Sequence, residues 1–355
     1  MRRRKAAKVK TDHFFIFCRK DHGFKAGASK DFPMDLETKA LLLSVGTVQV
    51  PGPCIGRAST AGPGAGGQSV FFRSGPHLVR LSVAESSPLC LERRAEGAAI
   101  LKEGREIARG WLVEPLLHCP EQAYITVSER CIYDCKFCAV PKLGGGIKSA
   151  ETVLQMVEEA AKTGNLAAVS LTSGVEHSPQ HEGSRVAGIV RDLQRYCVPI
   201  GVSICPFPGV NQMLKEAGAD EVKYNLECAD RELFPRICPG ISFQEIMDAL
   251  QEAVGIFGKN RVFTNIIVGL GGSDECLRKS IDELTGMGVI PVLRAVYPHP
   301  LRRGDLDMHR PSAQRLLYLA GYLKGSLDRN GLEGGAALTG CYRCTGCDLT
   351  PGRDL

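Results

Sequence analysis

The 355-residue chain has no run of 18 or more apolar residues, so nothing in it reads as a membrane span. An excess of one charge is nearly absent as well: 44 Lys and Arg face 39 Asp and Glu, a formal balance of +5. Much of that excess sits in the opening "MRRRKAAKVK", and the nearly neutral remainder has no nucleic-acid footprint. The basic start lacks the apolar stretch of a signal peptide, so the expected compartment is the cytoplasm. Residues 1–33 are expected to be a disordered or mis-started tip, with Met34 of "DFPMDLETKALLL" as the alternative start. The Gly-rich "GPGAGG" at 62–67 lacks a GK[ST] ending and flanking elements, which excludes a phosphate loop.

Cysteine, by contrast, is abundant: 15 residues, an odd number, gathered into two tight triplets plus scattered singles. A secreted disulfide framework is usually shorter and spaces its cysteines more evenly, so the clustering points to metal. Cys131, Cys135 and Cys138 lie within "SERCIYDCKFCAVPK", and Cys341, Cys344 and Cys347 within "TGCYRCTGCD". Cys18, Cys54, Cys90, Cys197, Cys205, Cys228, Cys238 and Cys276 read as reduced, mostly buried, small apolar residues. For the first triplet, zinc, an iron–sulfur cluster and plain core packing are all chemically open. Zinc would need a fourth ligand, for which His118 or Cys119 is available.

The fold expected is α/β. Residues 34–118 alternate short β-branched runs with Gly/Pro-rich turns, which predicts a small strand-rich lead-in. From residue 119 to 333 the pattern becomes strand, loop, helix, repeated. Strand-like runs are "AYITV", "AAVSLTSG", "PIGVSIC", "EVKYNLE", "RVFTNIIVG" and "PVLRAVY", with a seventh expected in "GGAALTG" at 334–340. Helix-like runs fall near 149–163, 184–196, 211–218, 243–257, 273–287 and 311–329. Apolar strands with crossover helices make a parallel sheet covered on both faces. Six or more such units predict a full or partial (β/α) TIM-like barrel, whose site lies at the C-terminal strand ends. Residues 334–355 form a C-terminal Cys-rich extension.

The C-x3-C-x2-C spacing, with Phe137 just before the last cysteine and the loop directly after a first strand, resembles the radical S-adenosylmethionine (SAM) superfamily. The resemblance spans about residues 123–347. It implies that Cys131, Cys135 and Cys138 hold a [4Fe–4S] cluster whose open iron binds SAM, with reductive cleavage to a 5′-deoxyadenosyl radical for C–H activation. By the same resemblance, Thr172, Ser173 and Gly174 stand where the family's Gly-rich strand end meets the methionyl amine, although the Gly-Gly-Glu form is absent. Asn225 and Glu227 of "YNLE" look like the biotin synthase-like strand end serving the ribose and neighbouring substrate, placed on one strand face by alternation. Val268 and Gly269 stand where the family backs the adenine. A low-potential donor such as ferredoxin or flavodoxin is implied.

The C-x2-C-x2-C of the second triplet suits an auxiliary Fe–S cluster or zinc, with an open iron or a fourth ligand from elsewhere. Biotin and archaeal lipoyl synthases suggest sulfur insertion into an unknown small-molecule or lipoyl-carrier-like substrate. Carbon-skeleton rearrangement, cofactor assembly and a non-catalytic Fe–S or zinc scaffold are the alternatives. Direct sulfur insertion would require both triplets to face one cavity. Arg294 is a candidate for a substrate carboxylate or for the auxiliary cluster, and Tyr297 for the pocket wall. His177 and His181 read as solvated.

Overall fold

The computed structural model describes residues 33–51 and 67–355. The basic tip, the first five residues of "GPGAGG", Cys18 and Cys54 lie outside the described residues. Among the described residues no helix is long and apolar enough to cross a membrane. Residues 32–355 form one compact unit.

The unit opens with helix α1 (Leu36–Val45), which Asp35 caps by accepting the Thr38 N–H. Six strands follow: β1 (Thr47–Val48), β2 (Ser69–Ser74), β3 (His77–Val83), β4 (Leu89–Arg93), β5 (Ala98–Lys102) and β6 (Arg105–Val113). They are ordered β1-β3-β2-β6-β5-β4. Their apolar face buries Val70, Phe72, Val79, Leu81, Leu91 and Ile100 against α1 and the later part of the chain.

The second sheet is parallel throughout. Its strands are β7 (Gln122–Thr126), β8 (Ala168–Thr172), β9 (Ile200–Ser203), β10 (Glu221–Lys223), β11 (Val262–Val268) and β12 (Ile290–Ala295). They run in plain sequence order, with β7 and β12 as the two unjoined edges. The architecture is therefore a partial, six-stranded barrel. Helices α2 (Ala150–Lys162), α3 (Pro179–Leu193), α4 (Val210–Ala217), α5 (Phe234–Ile237), α6 (Phe243–Phe257), α7 (Asp274–Gly286) and α8 (Ala313–Arg329) follow the strands. Ser149, Ser178, Ser242, Ser273 and Ser312 each accept the N–H three residues on. Each such cap stabilises its helix by about 1 kcal/mol. Ser178 and the Pro at the first position of α3 explain why that helix starts at 179 and not near 184.

Two expected strands are corrected. "EVKYNLE" is a strand only over Glu221–Lys223; Glu227 takes a left-handed φ of 61° and touches β11 through an isolated bridge to Ile266. "GGAALTG" is not a seventh strand. It forms a 3-10 turn at Gly334–Ala336 and then enters the short helix α9 (Gly340–Cys344). The two glycines that open the segment provide no side chain to hold a sheet register, and the segment's polar groups find partners inside the half-barrel instead.

Those partners are the inward-facing residues of the strands. The Glu221 carboxylate accepts the N–H of Leu338 (2.7 Å), the N–H of Thr339 (2.8 Å) and the Thr339 hydroxyl (2.7 Å). Gln122 brackets Gly340, its Oε1 accepting the Gly340 N–H and its Nε2 donating to the carbonyl. Tyr342 donates its hydroxyl to Pro291 O at 2.7 Å. The small inner residues make this insertion possible: a Cβ on Gly201 would stand 2.0 Å from Thr339 Oγ1. The first sheet holds the far end of the tail. Lys39, fully buried, donates to Thr345 O and to Asp354, whose other oxygen meets His77.

Gly201→Ala tests the insertion. Thr339 is fixed by Glu221 and cannot retreat, so overpacking should cost about 1–3 kcal/mol in urea unfolding. Thr339→Ala added to Gly201→Ala should restore part of that loss. Unchanged stability in the single variant would mean that the tail does not occupy the barrel.

Candidate active site at the barrel mouth

The first triplet sits in the loop that leaves the C-terminal end of β7, and backbone bonds fix its path. Ser128 N–H donates to Ser173 Oγ, Gly174 N–H to Ser128 O, Ile132 N–H to Val175 O and Lys136 N–H to Ile237 O. Gly174 packs so tightly on the loop that an added Cβ would lie 2.2 Å from Arg130 O. The Cys138 N–H closes a turn onto Cys135 O at 2.9 Å. Phe137 packs partly buried against the main core. Arg302, fully buried, donates from Nε to Cys138 O at 2.5 Å and pairs with Asp134 and Asp305. Sequence reasoning missed Arg302, which lies 164 residues from the carbonyl that it holds.

The three thiols are half-buried. Burial pushes Cys138 up to about 12, with Cys135, Cys131 and Glu227 adding to the effect. Cys135 is hydrogen-bonded to the Cys238 thiol, and Cys205 to Tyr133. Cys205 and Cys238 are thus neighbours of the triplet as well as buried residues. Among the described residues no group of three or more His, Cys, Asp and Glu side chains forms a closed site for a single metal ion.

The expected SAM contacts fall out unevenly. Ser173 and Gly174 give their N–H groups to Ser203 O and Ser128 O, and Ser173 Oγ donates to Glu182. Thr172 O accepts the Val127 N–H. Asn225 and Glu227 do come together, although not by strand alternation: the Asn225 side chain hydrogen-bonds the Glu227 carboxyl. Burial pushes Glu227 up to about 7, against the lowering charges of Lys223 and Arg294.

Val268 lies beside Leu316 and Leu319 of α8, and Phe263 of the same strand lines the cavity next to Cys341 and Tyr342. Gly269 O accepts the His309 N–H. Tyr297 lies past the end of β12 with 44% of its surface exposed, under the Arg310 guanidinium. No described contact joins it to the inward-facing groups. His177 and His181 stack edge-on at the surface beside Glu176 and Arg185.

Among the described residues six buried side-chain oxygens have no hydrogen-bond partner, and three of them, Thr126 Oγ1, Asn225 Oδ1 and Asn265 Oδ1, belong to β7, to the chain just after β10 and to β11. Buried acceptors left unmatched are costly unless a ligand meets them. Asn265 was not singled out from the sequence, yet a lone amide in an apolar strand is a readable signal for an inward-facing position.

A polar line continues below the mouth. Arg294 Nη1 donates to Cys341 Sγ at 3.1 Å, and Lys223 Nζ lies 4.0 Å from the same sulfur. Burial opposes the charge on Arg294, and the Cys347 and Cys341 thiols outweigh it, so the guanidinium stays charged. Both cations lower the Glu227 pKa, and Glu227 in turn raises that of Cys138.

Glu227 gives a pH test on the cluster-free protein. A carboxyl whose folded pKa is raised stabilises the fold below its unfolded value, near 4.3, and that stability is lost as pH rises through about 7. Glu227→Gln should therefore be more stable than wild type at pH 8, with the gap closing by pH 5, in urea titrations. Equal gaps at both pH values would contradict the burial.

Residues 125–284 match the family model described as the radical SAM superfamily. No curated protein matches the chain. Among solved structures, methylornithine synthase (PylB) is similar at 20% identity over 58% of this chain and 62% of its own, with a TM-score of 0.47. The FeFe-hydrogenase maturase HydG from Carboxydothermus hydrogenoformans is similar at 18% identity over 58% and 51%, TM-score 0.49. Streptococcus suis SuiB bound to S-adenosylmethionine is similar at 14% identity over 59% and 48%, TM-score 0.48. The chain spans roughly half to three fifths of the length of these proteins. The family match covers residues 125–284, somewhat under half of the chain, and takes in the cysteine loop that follows β7.

Proposed function

We propose that the protein is a radical SAM enzyme acting by C–H activation, with sulfur insertion into an aliphatic chain as the favoured reaction. The observation that carries the reading is the placement of Cys131, Cys135 and Cys138 on one backbone-fixed loop at the C-terminal end of the first parallel strand. Three thiolates suit a [4Fe–4S] cluster with one iron left for a further ligand. When bound, the cluster and SAM supply a 5′-deoxyadenosyl radical that takes a hydrogen atom from substrate. The electron donor is taken to be ferredoxin or flavodoxin.

The chain's own residues fit that cofactor pair. Arg302 and Gly174 hold the loop, so the three thiols are presented from a fixed backbone. In this reading the backbone of Ser173 and Gly174 meets the methionyl amine. Asn225 Oδ1, Asn265 Oδ1 and Thr126 Oγ1, buried and unmatched, are acceptors for sugar hydroxyls or the adenine amine. Glu227, at about 7, is present in both protonation states near neutrality and can accept or donate at the same position. Lys223 and Arg294 present positive charge to the interior, which suits a carboxylate-bearing substrate or a negatively charged auxiliary cluster. In this reading Cys341, Cys344 and Cys347 carry a second cluster, which donates sulfur if it shares a cavity with the first triplet and relays electrons if it does not.

Anaerobically reconstituted protein given dithionite and SAM should release 5′-deoxyadenosine, and Cys131→Ala should not. If a loaded wild-type protein releases none, the enzyme reading fails. Reconstitution with 34S sulfide should place the label in the product if the reaction is sulfur insertion. A labelled protein that turns over to unlabelled product would return the reaction to rearrangement or cofactor assembly.

Asn225→Ala and Asn265→Ala should each weaken SAM binding by about 1–3 kcal/mol, roughly five- to 150-fold, without loss of iron. Isothermal titration under nitrogen measures this directly. Wild-type affinity in both variants would assign these amides to packing alone.

A further inference from the structure

The tail supplies three thiols, one short of a four-thiolate site. Cys119 lies just before β7, fixed by a tight turn in which Leu116 N–H donates to Cys119 O and Cys119 bridges Gln122. From the sequence it was a candidate for completing the first triplet at the mouth. The structure instead places it at the N-terminal end of β7, where its thiol is hydrogen-bonded to that of Cys344. Cys119 is 1% exposed and packs with Phe71 and Leu78, against which Tyr124, Val113 and Cys344 also lie.

The tail's local geometry directs its three thiols toward this point. Cys341 and Cys344 are three residues apart on α9 and so share one face. Thr345 then takes a left-handed φ of 60°, ending the helix and returning the chain through Gly346 to Cys347. The first sheet fixes this return: Arg80 N–H donates to Gly346 O at 2.6 Å, and Lys39 Nζ to Thr345 O. Cys344 packs against the buried cluster that holds Cys119, and Cys341 and Cys347 stand three residues to either side of Cys344 in the tail.

We propose that Cys119, Cys341, Cys344 and Cys347 together form a four-thiolate site for a [4Fe–4S] cluster, leaving no iron of that cluster open to substrate. This rests on the reading of the C-terminal triplet as an auxiliary cluster site and adds its closing ligand. Charge supports it, because four thiolates around a cube carry net negative charge and Arg294 and Lys223 stand against Cys341. A substrate in the barrel then meets cluster sulfide or the two cations, and not an open iron.

The test isolates the second site in the full-length chain by replacing Cys131, Cys135 and Cys138 with Ala. After anaerobic reconstitution this variant should hold about four irons and four sulfides per chain. Its reduced EPR spectrum should be insensitive to added cyanide, because no iron is open. Adding Cys119→Ala should expose one iron, so that the spectrum becomes cyanide-sensitive or mild oxidation leaves about three irons. Cys119→Ser, which retains an oxygen ligand, should keep four. Cyanide sensitivity with Cys119 intact, or an unchanged spectrum and iron count without it, would overturn the closing-ligand assignment while leaving a C-terminal cluster in place. No iron, or zinc in its place, would overturn the auxiliary cluster itself. Because the cyanide response is read first with Cys119 intact, a Cys119 variant that fails to fold still leaves the proposal open to refutation.

Discussion

Much of the structure depends on one buried carboxylate. Glu221, at the start of β10 and 1% exposed, takes the backbone of Leu338 and Thr339 and the Thr339 hydroxyl into the half-barrel. Six parallel strands alone leave two open edges and a hollow whose lining includes Ser170, Gly201, Ser203, Glu221 and Lys223. A hollow of that kind needs filling, because unmatched polar groups and voids both destabilise. The C-terminal segment fills it, and so brings the second cysteine triplet into the fold. Burial raises the Glu221 pKa, and the three hydrogen bonds with the nearby Arg261 work in the opposite direction.

The first sheet follows from the same constraint. Its strands do more than precede the half-barrel: Lys39, His77 and Arg80 grip the tail at Thr345, Asp354 and Gly346. Lys39 and Asp354 are both essentially buried, a pair that is costly to break because either charge would be stranded. The segment that matches the radical SAM model supplies the cysteine loop after β7, and the first sheet holds the tail that follows it. Lys223 and Arg294 stand at Cys341 and also lower the Glu227 pKa.

Much of the mouth was legible because it is local. Apolar runs separated by serine-capped helices identify β7–β12, and the three cysteines follow the first strand within a few residues. What was not legible is long-range. Nothing near Glu221 announces that its partners lie 118 residues later, and nothing near Cys119 indicates Cys344. Arg302 holds Cys138 O from a turn that reads as an ordinary Pro-rich loop. The expected strand in "GGAALTG" failed because its polar neighbours prefer side-chain partners in the barrel to a strand register. The pairing of Asn225 with Glu227 was anticipated for the wrong reason, since a left-handed residue interrupts the alternation.

The central claim is that the chain holds two iron–sulfur sites. Diffraction at the iron edge from anaerobically grown crystals of the reconstituted full-length protein measures this most directly. The account predicts two iron positions per chain, one bounded by Cys131, Cys135 and Cys138, the other by Cys119, Cys341, Cys344 and Cys347. A single iron position, zinc at the second, or a second position outside the half-barrel would contradict it.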